Sequence, residues 1–445
     1  MGNVIAPNEH FPAPRIPDAA LPRGVSQGLS IRDMQLTNGS VLVTDGNQRS
    51  TLAVVRTLGK RGVQVIVAAE TERSLAGASR YCNRAVIYPS PYQDEEGFII
   101  CLLETSRRLG VNALFPMTDI AMHHVLAHRK DFEEIVALPI PSSAAFEVVS
   151  NKYTLMQLAR QLRVPIATTA FVPNGLIQEQ LACIETYPVV VKPAKSVIWQ
   201  ERRWWPTSVH YATNETELLR LYQKISYLSE PSLIQQRIDG PGIGIFALMD
   251  RGEPVALFAH RRLREKPPSG GVSVLRESIP LPQPATEYAL CLLRHVGWHG
   301  VAMVEFKVDR DKNTPILMEI NGRFWGSLQL AIDAGVNFPF LLYSLALGTS
   351  MERVYGYSMG TRLRWLLGDL DHLLLRLLKA PEELNLPPGY PSKLRTLVEF
   401  CRSFDRRTRY EILRLEDPKP FILELCRYFG GFRPPPEGSK QWTQS

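Results

Sequence analysis

The chain has 445 residues, 45% hydrophobic and 21% charged, with 51 basic against 44 acidic side chains and a net charge of +7. That length exceeds what one hydrophobic core supports and predicts roughly two to four packed units, while the composition excludes a disordered or fibrous chain. The modest basic excess favours an anionic small ligand or an anionic surface and does not by itself argue for nucleic acid.

Residues 1–35 carry Pro and Gly with little periodicity, which predicts a loose N-terminal arm. Residues 40–43 form a short apolar strand, followed by Thr44-Asp45-Gly46-Asn47. Residues 50–61 have helical spacing at Leu52, Val55 and Leu58; Gly62 stops the helix, and 63–68 is a second strand. This is a β-α-β unit, but it lacks GxGxxG and is not read as a dinucleotide site. A helix over 98–109, a strand over 113–116 and a helix over 118–129 continue the alternation, so 36–140 is expected to be a parallel α/β domain.

Pro139-Ile140-Pro141-Ser142-Ser143 marks a boundary. A helix is predicted over 151–162, closed by Val164-Pro165. Strands follow at 171–173 and 188–192, with a helical stretch over 176–185 between them. Strands at 233–236 and 244–249 flank Asp239-Gly240-Pro241-Gly242, which reads as a tight connector because no helix follows it. A helix over 287–296 leads into the hairpin below, and another spans 328–334. These elements define a second domain over 141–347. Residues 348–445 read as helical and basic, with a leucine-rich face over 362–379. They are expected to be a packed helical region, with attachment to an acidic membrane face as the alternative.

The six cysteines (82, 101, 183, 291, 401 and 426) contain no CxxC pair, so neither a zinc site nor a disulfide framework is indicated. Free thiols in a cytoplasmic protein are the expectation. No apolar run reaches the ~18 residues of a membrane span, and the first residues lack the basic start and apolar core of a signal peptide.

The chemistry concentrates in two segments. Residues 301–309 read VAMVEFKVD and 315–323 read PILMEINGR, joined by the polar turn Arg310-Asp311-Lys312-Asn313-Thr314. This is a hairpin pattern. Centred near Lys312, it sets Glu305 opposite Glu319, and two like charges so placed destabilise a sheet unless a cation lies between them. Asn321 shares the face of Glu319. Two carboxylates, an amide oxygen and nearby Arg323 suit Mg²⁺ shared with phosphate oxygens. The alternative, two solvated glutamates, sits poorly with the apolar flanks. Val189-Val190-Val191-Lys192 puts a lysine at the end of a buried-type strand, where it needs an anion or must snorkel. Lys152 opens a helix, either facing an anion or solvated. The basic run over 261–266 abuts Pro-Pro-Ser-Gly-Gly and could grip a carboxylate or phosphate, or be a solvated charge run. Trp199, Trp204 and Trp205 are either a lid or a local hydrophobic plug.

Taken in order over roughly residues 40–345, these pieces resemble the ATP-grasp family of carboxylate–amine ligases. The carriers are the Asn151-Lys152 helix, PVVVKP around Lys192, LIQQRIDGPG, and the paired VEFK and MEINGRFWGS strands. RRLREKPPSGGVSVLRES resembles the carbamoyl-phosphate-synthase-like and D-aspartate-ligase-like branch. The resemblance implies a pre-ATP-grasp parallel α/β domain, a two-lobed α+β ATP-grasp domain and a helical C-terminal region. It implies ATP held between two sheets, with Lys152 and Lys192 on its phosphates and Gln235, Gln236 and Ile238 along the adenine-side hinge. Glu305, Glu319 and Asn321 would hold Mg²⁺, or alternatively Mn²⁺. Arg323 would face the transferred phosphoryl group. Small-molecule carboxylate and amine substrates are implied, with no nucleic-acid partner. Arg262 and Arg264 alternate with Leu263 and are therefore expected to share a strand face, gripping the carboxylate and the acyl phosphate. A kinase-like transfer and a nucleotide-binding protein without turnover are the competing readings. Three positions depart from the family pattern. Ala194-Lys195-Ser196-Val197 stands in place of a glycine-rich loop, Gln235-Gln236 stands where glutamate is common, and Gly322 replaces a common proline.

Overall fold

A computed structural model describes residues 39–386, 389–405 and 407–430; the arm expected over 1–35 lies outside the described residues. The first domain begins with β1 (Ser40–Val43), α1 (Arg49–Gly59), β2 (Gln64–Ala69) and β3 (Arg84–Ile87). α2 (Glu95–Leu109), β4 (Ala113–Phe115), α3 (Asp119–Ala127) and α4 (Arg129–Glu133) complete it. Its strands pair in parallel in the order β3-β2-β1-β4. β1 is buried along its whole length, which is why it reads as an unbroken apolar run. The chain leaves β1 toward β2 on one side, and β4 joins on the other. The carboxyl ends of β1 and β4 therefore border a switch point, the usual crevice for a ligand in such sheets.

Two capped helices follow, α5 (Ser143–Ser150) and α6 (Lys152–Gln161). The Asn151 side chain accepts from Tyr153 N and Thr154 N, so α6 starts where the sequence predicts. The small lobe is an antiparallel sheet of β5 (Thr169–Val172), β6 (Val189–Pro193), β9 (His210–Ala212) and β10 (Ser232–Gln236), ordered β5-β10-β6-β9. Between β6 and β9, β7 (Val197–Gln200) and β8 (Arg203–Pro206) form a hairpin, and α7 (Glu215–Lys224) covers the lobe. The helix expected over 176–185 is only a short 3₁₀ turn, Gln178–Cys183, with no buried residue of its own to hold a longer element.

The large sheet takes β11 (Gly242–Asp250), β12 (Glu253–Lys266), β13 (Val272–Ser278), β14 (Gly300–Val308) and β15 (Pro315–Asn321), with α8 (Gln283–His295), α9 (Leu328–Ala334) and α10 (Phe338–Ala346) against it. The C-terminal region is helical in α11 (Leu366–Leu378), α12 (Lys393–Arg402) and α13 (Lys419–Phe429), but it also adds β16 (Arg362–Arg364) and β17 (Thr408–Tyr410) to that sheet. The order is β15-β14-β11-β12-β13-β16-β17. Residues 362–364, expected in a helix, are extended because they alternate: Leu363 is fully buried while Arg362 and Arg364 reach carboxylates on β13 and α11. The boundary drawn at 347/348 is thus crossed by the sheet. The chain then returns to the first domain, where Asp417 accepts from Arg56 Nε at 2.9 Å, Ser79 Oγ at 2.7 Å and Arg80 N at 2.9 Å. One hydrophobic core runs from β1 and α1 through Phe324, Trp325, α9 and α10 to Phe246 and Phe258 of the large sheet.

Candidate active site

The β14–β15 hairpin pairs Glu305 with Glu319 and Met303 with Asn321, and a bulge follows Glu305. Asn313, in the turn, takes a left-handed φ of 49°, which asparagine tolerates. Glu305 and Glu319 are both partly buried. Asn321 Nδ2 lies 3.3 Å from Glu305 Oε1. Arg262 donates to Glu305, and its NH1 reaches Glu265 Oε1 at 2.8 Å. Lys152 Nζ stands 3.5 Å from Glu319 Oε2 and 3.3 Å from Ser196 Oγ.

The pair is electrostatically unequal. Burial pushes the Glu319 carboxyl up, but Lys152, Lys192, Arg262 and Arg323 outweigh it and hold it below the usual range. Burial keeps Glu305 above that range despite Arg262, with Glu319 adding to the shift. Lys192 is paired on β6 with Leu233, and burial lowers its ammonium to about 8, against the attraction of Glu319. Among the described residues no three His, Cys, Asp or Glu side chains cluster as a metal site. Two opposed carboxylates and an amide form a smaller set of hard oxygen donors, which fits an ion that takes its remaining ligands from phosphates and water.

Arg323 extends toward the first domain, with Nε 3.1 Å from Asp119 Oδ1 and NH1 3.1 Å from Phe324 O. Asp119 opens α3 at the end of β4 and was invisible to sequence reasoning, because 204 residues separate it from its partner. The one signal was its place after a strand end, the position that Asp45 also takes after β1. Asp45 holds a left-handed φ of 56°, and burial raises its carboxyl against hydrogen bonds from Thr44, Thr118 and Tyr88. Gly322, where proline is common, has a structural reason: a Cβ there would stand 2.6 Å from the buried Trp298 ring.

The expected hinge residues separate. Gln235 is buried, its Nε2 3.0 Å from Thr169 Oγ1 and its Oε1 without a partner. Gln236 is exposed at the strand end. Ile238 offers its carbonyl to Lys307 Nζ at 3.1 Å. Asp239-Gly240-Pro241-Gly242 is a tight connector as read: a Cβ at Gly240 would fall 1.8 Å from Val308 O.

Arg264 is the clear correction. Its Nε and NH2 each lie 2.7 Å from the Asp369 carboxylate, and NH2 reaches Ser403 Oγ at 2.9 Å. β12 and β13 pair through Arg262–Arg276, Arg264–Leu275 and Glu265–Ser273, so a bulge leaves Leu263 of β12 out of register before Arg264 and Val274 of β13 out of register after it. That bulge breaks the alternation on which the shared face depended: Arg262 goes to Glu305 and Arg264 to Asp369.

The tryptophan segment is a β-hairpin leaning on the first domain. Trp204 N donates to Tyr92 O at 3.1 Å, and the Trp204 ring lies 4.6 Å from that of His123. A cavity of about 30 Å³ beside it is lined by Asp119, His123, Glu147, Lys195, Ser196 and Trp204.

Residues 229–368, which span β10–β16, match the family model described as "ATP-grasp in the biosynthetic pathway with Ter operon". The chain has the ATP-grasp fold. Solved structures place it there as well. The N5-carboxyaminoimidazole synthetase of Staphylococcus aureus superposes with TM-score 0.58 at 14% identity, covering 77% of this chain and 85% of that one. A β-γ-ATP complex of biotin carboxylase from Campylobacter jejuni gives 0.57 at 17%, covering 73% and 74%. The L-amino acid ligase of Bacillus licheniformis gives 0.54 at 18%, covering 71% and 75%. At such identities the likeness concerns the fold alone. No curated protein matches the chain in sequence. On this ATP-grasp frame Glu305, Glu319, Asn321, Lys152, Lys192, Arg262 and Arg323 come together, and Arg264 does not.

Proposed function

We propose that the protein is an ATP-dependent ligase that activates a small carboxylic acid as an acyl phosphate and joins it to an amine. The observation that carries this reading is the opposed Glu305–Glu319 pair, ringed by Lys152, Lys192, Arg262 and Arg323. Glu305, Glu319 and Asn321 would hold Mg²⁺, or Mn²⁺, which would neutralise phosphate oxygens when bound. Lys152 and Lys192 bind phosphate oxygens as point charges, and Gln236 with the backbone near Ile238 borders the nucleotide. A substrate carboxylate oxygen attacks the γ-phosphorus, and the bond to the ADP oxygen breaks. Arg323, positioned by Asp119, stabilises the charge on the transferred group. The amine nitrogen then bonds to the acyl carbon and loses a proton as phosphate leaves.

Acids should be screened for ADP release with the full chain, with hydroxylamine present in place of the amine. A hydroxamate formed only with a particular acid supports the reading. A phosphorylated product stable to hydroxylamine indicates kinase-like transfer instead, and absence of ATP consumption with every acid indicates binding without turnover.

A further inference from the structure

In most surface helices the apolar stripe faces the core and the charges face water. α12 is inverted. Among its residues Thr396 is buried, while Leu394 is 72% exposed and Leu397 and Val398 are each 39% exposed. Together with exposed Cys401 they follow helical spacing and form one stripe on the side away from the protein. α11 repeats the arrangement at its end, with Leu374, Leu377 and Leu378 on one exposed face. The two stripes adjoin, because Lys393 Nζ at the start of α12 donates to Leu377 O at 2.8 Å near the end of α11. Exposed Phe404 extends the patch past α12.

The rim is basic. Lys379, Lys393, Arg395, Arg402 and Arg407 are exposed. Of the acids nearby, Glu399 is bonded to Arg395 at 2.9 Å, and Asp405 accepts from the backbone N of Arg407 and of Thr408. Exposed Glu382 and Glu383 lie in the loop after α11. Apolar side chains flanked on both sides by cations match the two layers of a lipid surface: acyl boundary below, anionic headgroups around. An isologous contact between two copies would instead press like-charged rims together.

We infer that the α11–α12 face docks the protein on an anionic lipid bilayer, with Leu394, Leu397, Val398 and Leu378 entering the headgroup–acyl boundary. No single helix among the described residues is long and apolar enough to cross a membrane.

The full chain should co-sediment with vesicles of mixed phosphatidylcholine and phosphatidylglycerol and not with phosphatidylcholine alone, and high salt should release it. The double variant Leu394→Ser/Leu397→Ser should lose roughly tenfold or more in partitioning, from the apolar surface no longer buried, with its melting temperature retained. Arg395→Ala/Arg402→Ala should weaken binding and flatten its salt dependence. Equal sedimentation with both vesicle types, or with neither, overturns the inference. So does a dimer in light scattering that the leucine variant abolishes, which would assign the face to a second copy.

Discussion

Two arginines on one strand, Arg262 and Arg264, end in clusters of the same residue types with opposite character. Around Arg264 two buried guanidiniums, those of Arg264 and Arg364, share one carboxylate, and Arg364 NH1 is left without a hydrogen-bond partner. Asp369 takes both Arg264 and Arg364, the latter at 2.6 Å, and the Arg364 guanidinium lies 4.2 Å and 4.3 Å from the Phe400 and Phe404 rings. Around Arg262 the balance is reversed: Glu305 and Glu265 share one guanidinium, and Glu319 lies 3.5 Å from Lys152. Two carboxylates face each other, one held low by surrounding cations and the other held high by burial, with an amide beside them. Arg264 is tied to a carboxylate on α11, whereas Arg262 borders the opposed Glu305–Glu319 pair. The two arginines part where the register is irregular, at Leu263 of β12 and Val274 of β13.

The largest effect should separate the clusters by activity. Glu319→Ala is expected to lower ATP turnover by about 10²–10³-fold, as expected when transition-state charge stabilisation is lost, while leaving the melting temperature near that of the parent. Near-normal ADP release would place the phosphate-binding centre elsewhere.

The converse concerns stability. Asp369→Ala leaves Arg264 and Arg364 buried without a counter-charge and should cost about 3–5 kcal/mol, read by urea unfolding. An unchanged midpoint would mean that Asp369 does not hold the two guanidiniums in the folded state.

Removing the Lys192 charge should weaken nucleotide binding by ~10-fold or more, the loss of a charge-assisted contact, and Lys192→Arg should lose less because it keeps the charge in a less compact group. Calorimetry with a non-hydrolysable ATP analogue distinguishes the two; equal affinity for the parent and the Ala variant would remove Lys192 from the site.

The smallest effect is on pH. Burial lowers the Lys192 ammonium from 10.5 to about 8, so between those values the unfolded chain binds the extra proton. Stability from this group therefore rises with pH across that window, and the penalty is fully present below about 8. Nucleotide affinity should move the other way, falling above that pH as the ammonium is lost, and Lys192→Arg should flatten the profile. A titration of analogue binding that stays level in the parent would show that Lys192 carries no phosphate.

Much of this site was legible in one dimension. Strand alternation and an odd-length polar turn are local, so the facing of Glu305 and Glu319 follows from counting residues, and a lysine closing an apolar strand marks itself. The place of Arg264 is not legible in this way, because a bulge shifts the phase of alternation by one residue and leaves no mark in composition. Residues 362–364 give no strand signal in the sequence because three residues are too few to display a period.

What the sequence by itself determined is the set of local periods: a parallel α/β first domain, an apolar hairpin bearing two carboxylates, and the residues that punctuate them. The tertiary structure decided what depends on long separation. It brought Asp119 to Arg323 across 204 residues, carried β16 and β17 into the large sheet, and tied Asp417 back to Arg56. It also decided which face of α12 meets solvent, since amphipathic spacing states that a helix has two sides but not which side the rest of the chain covers.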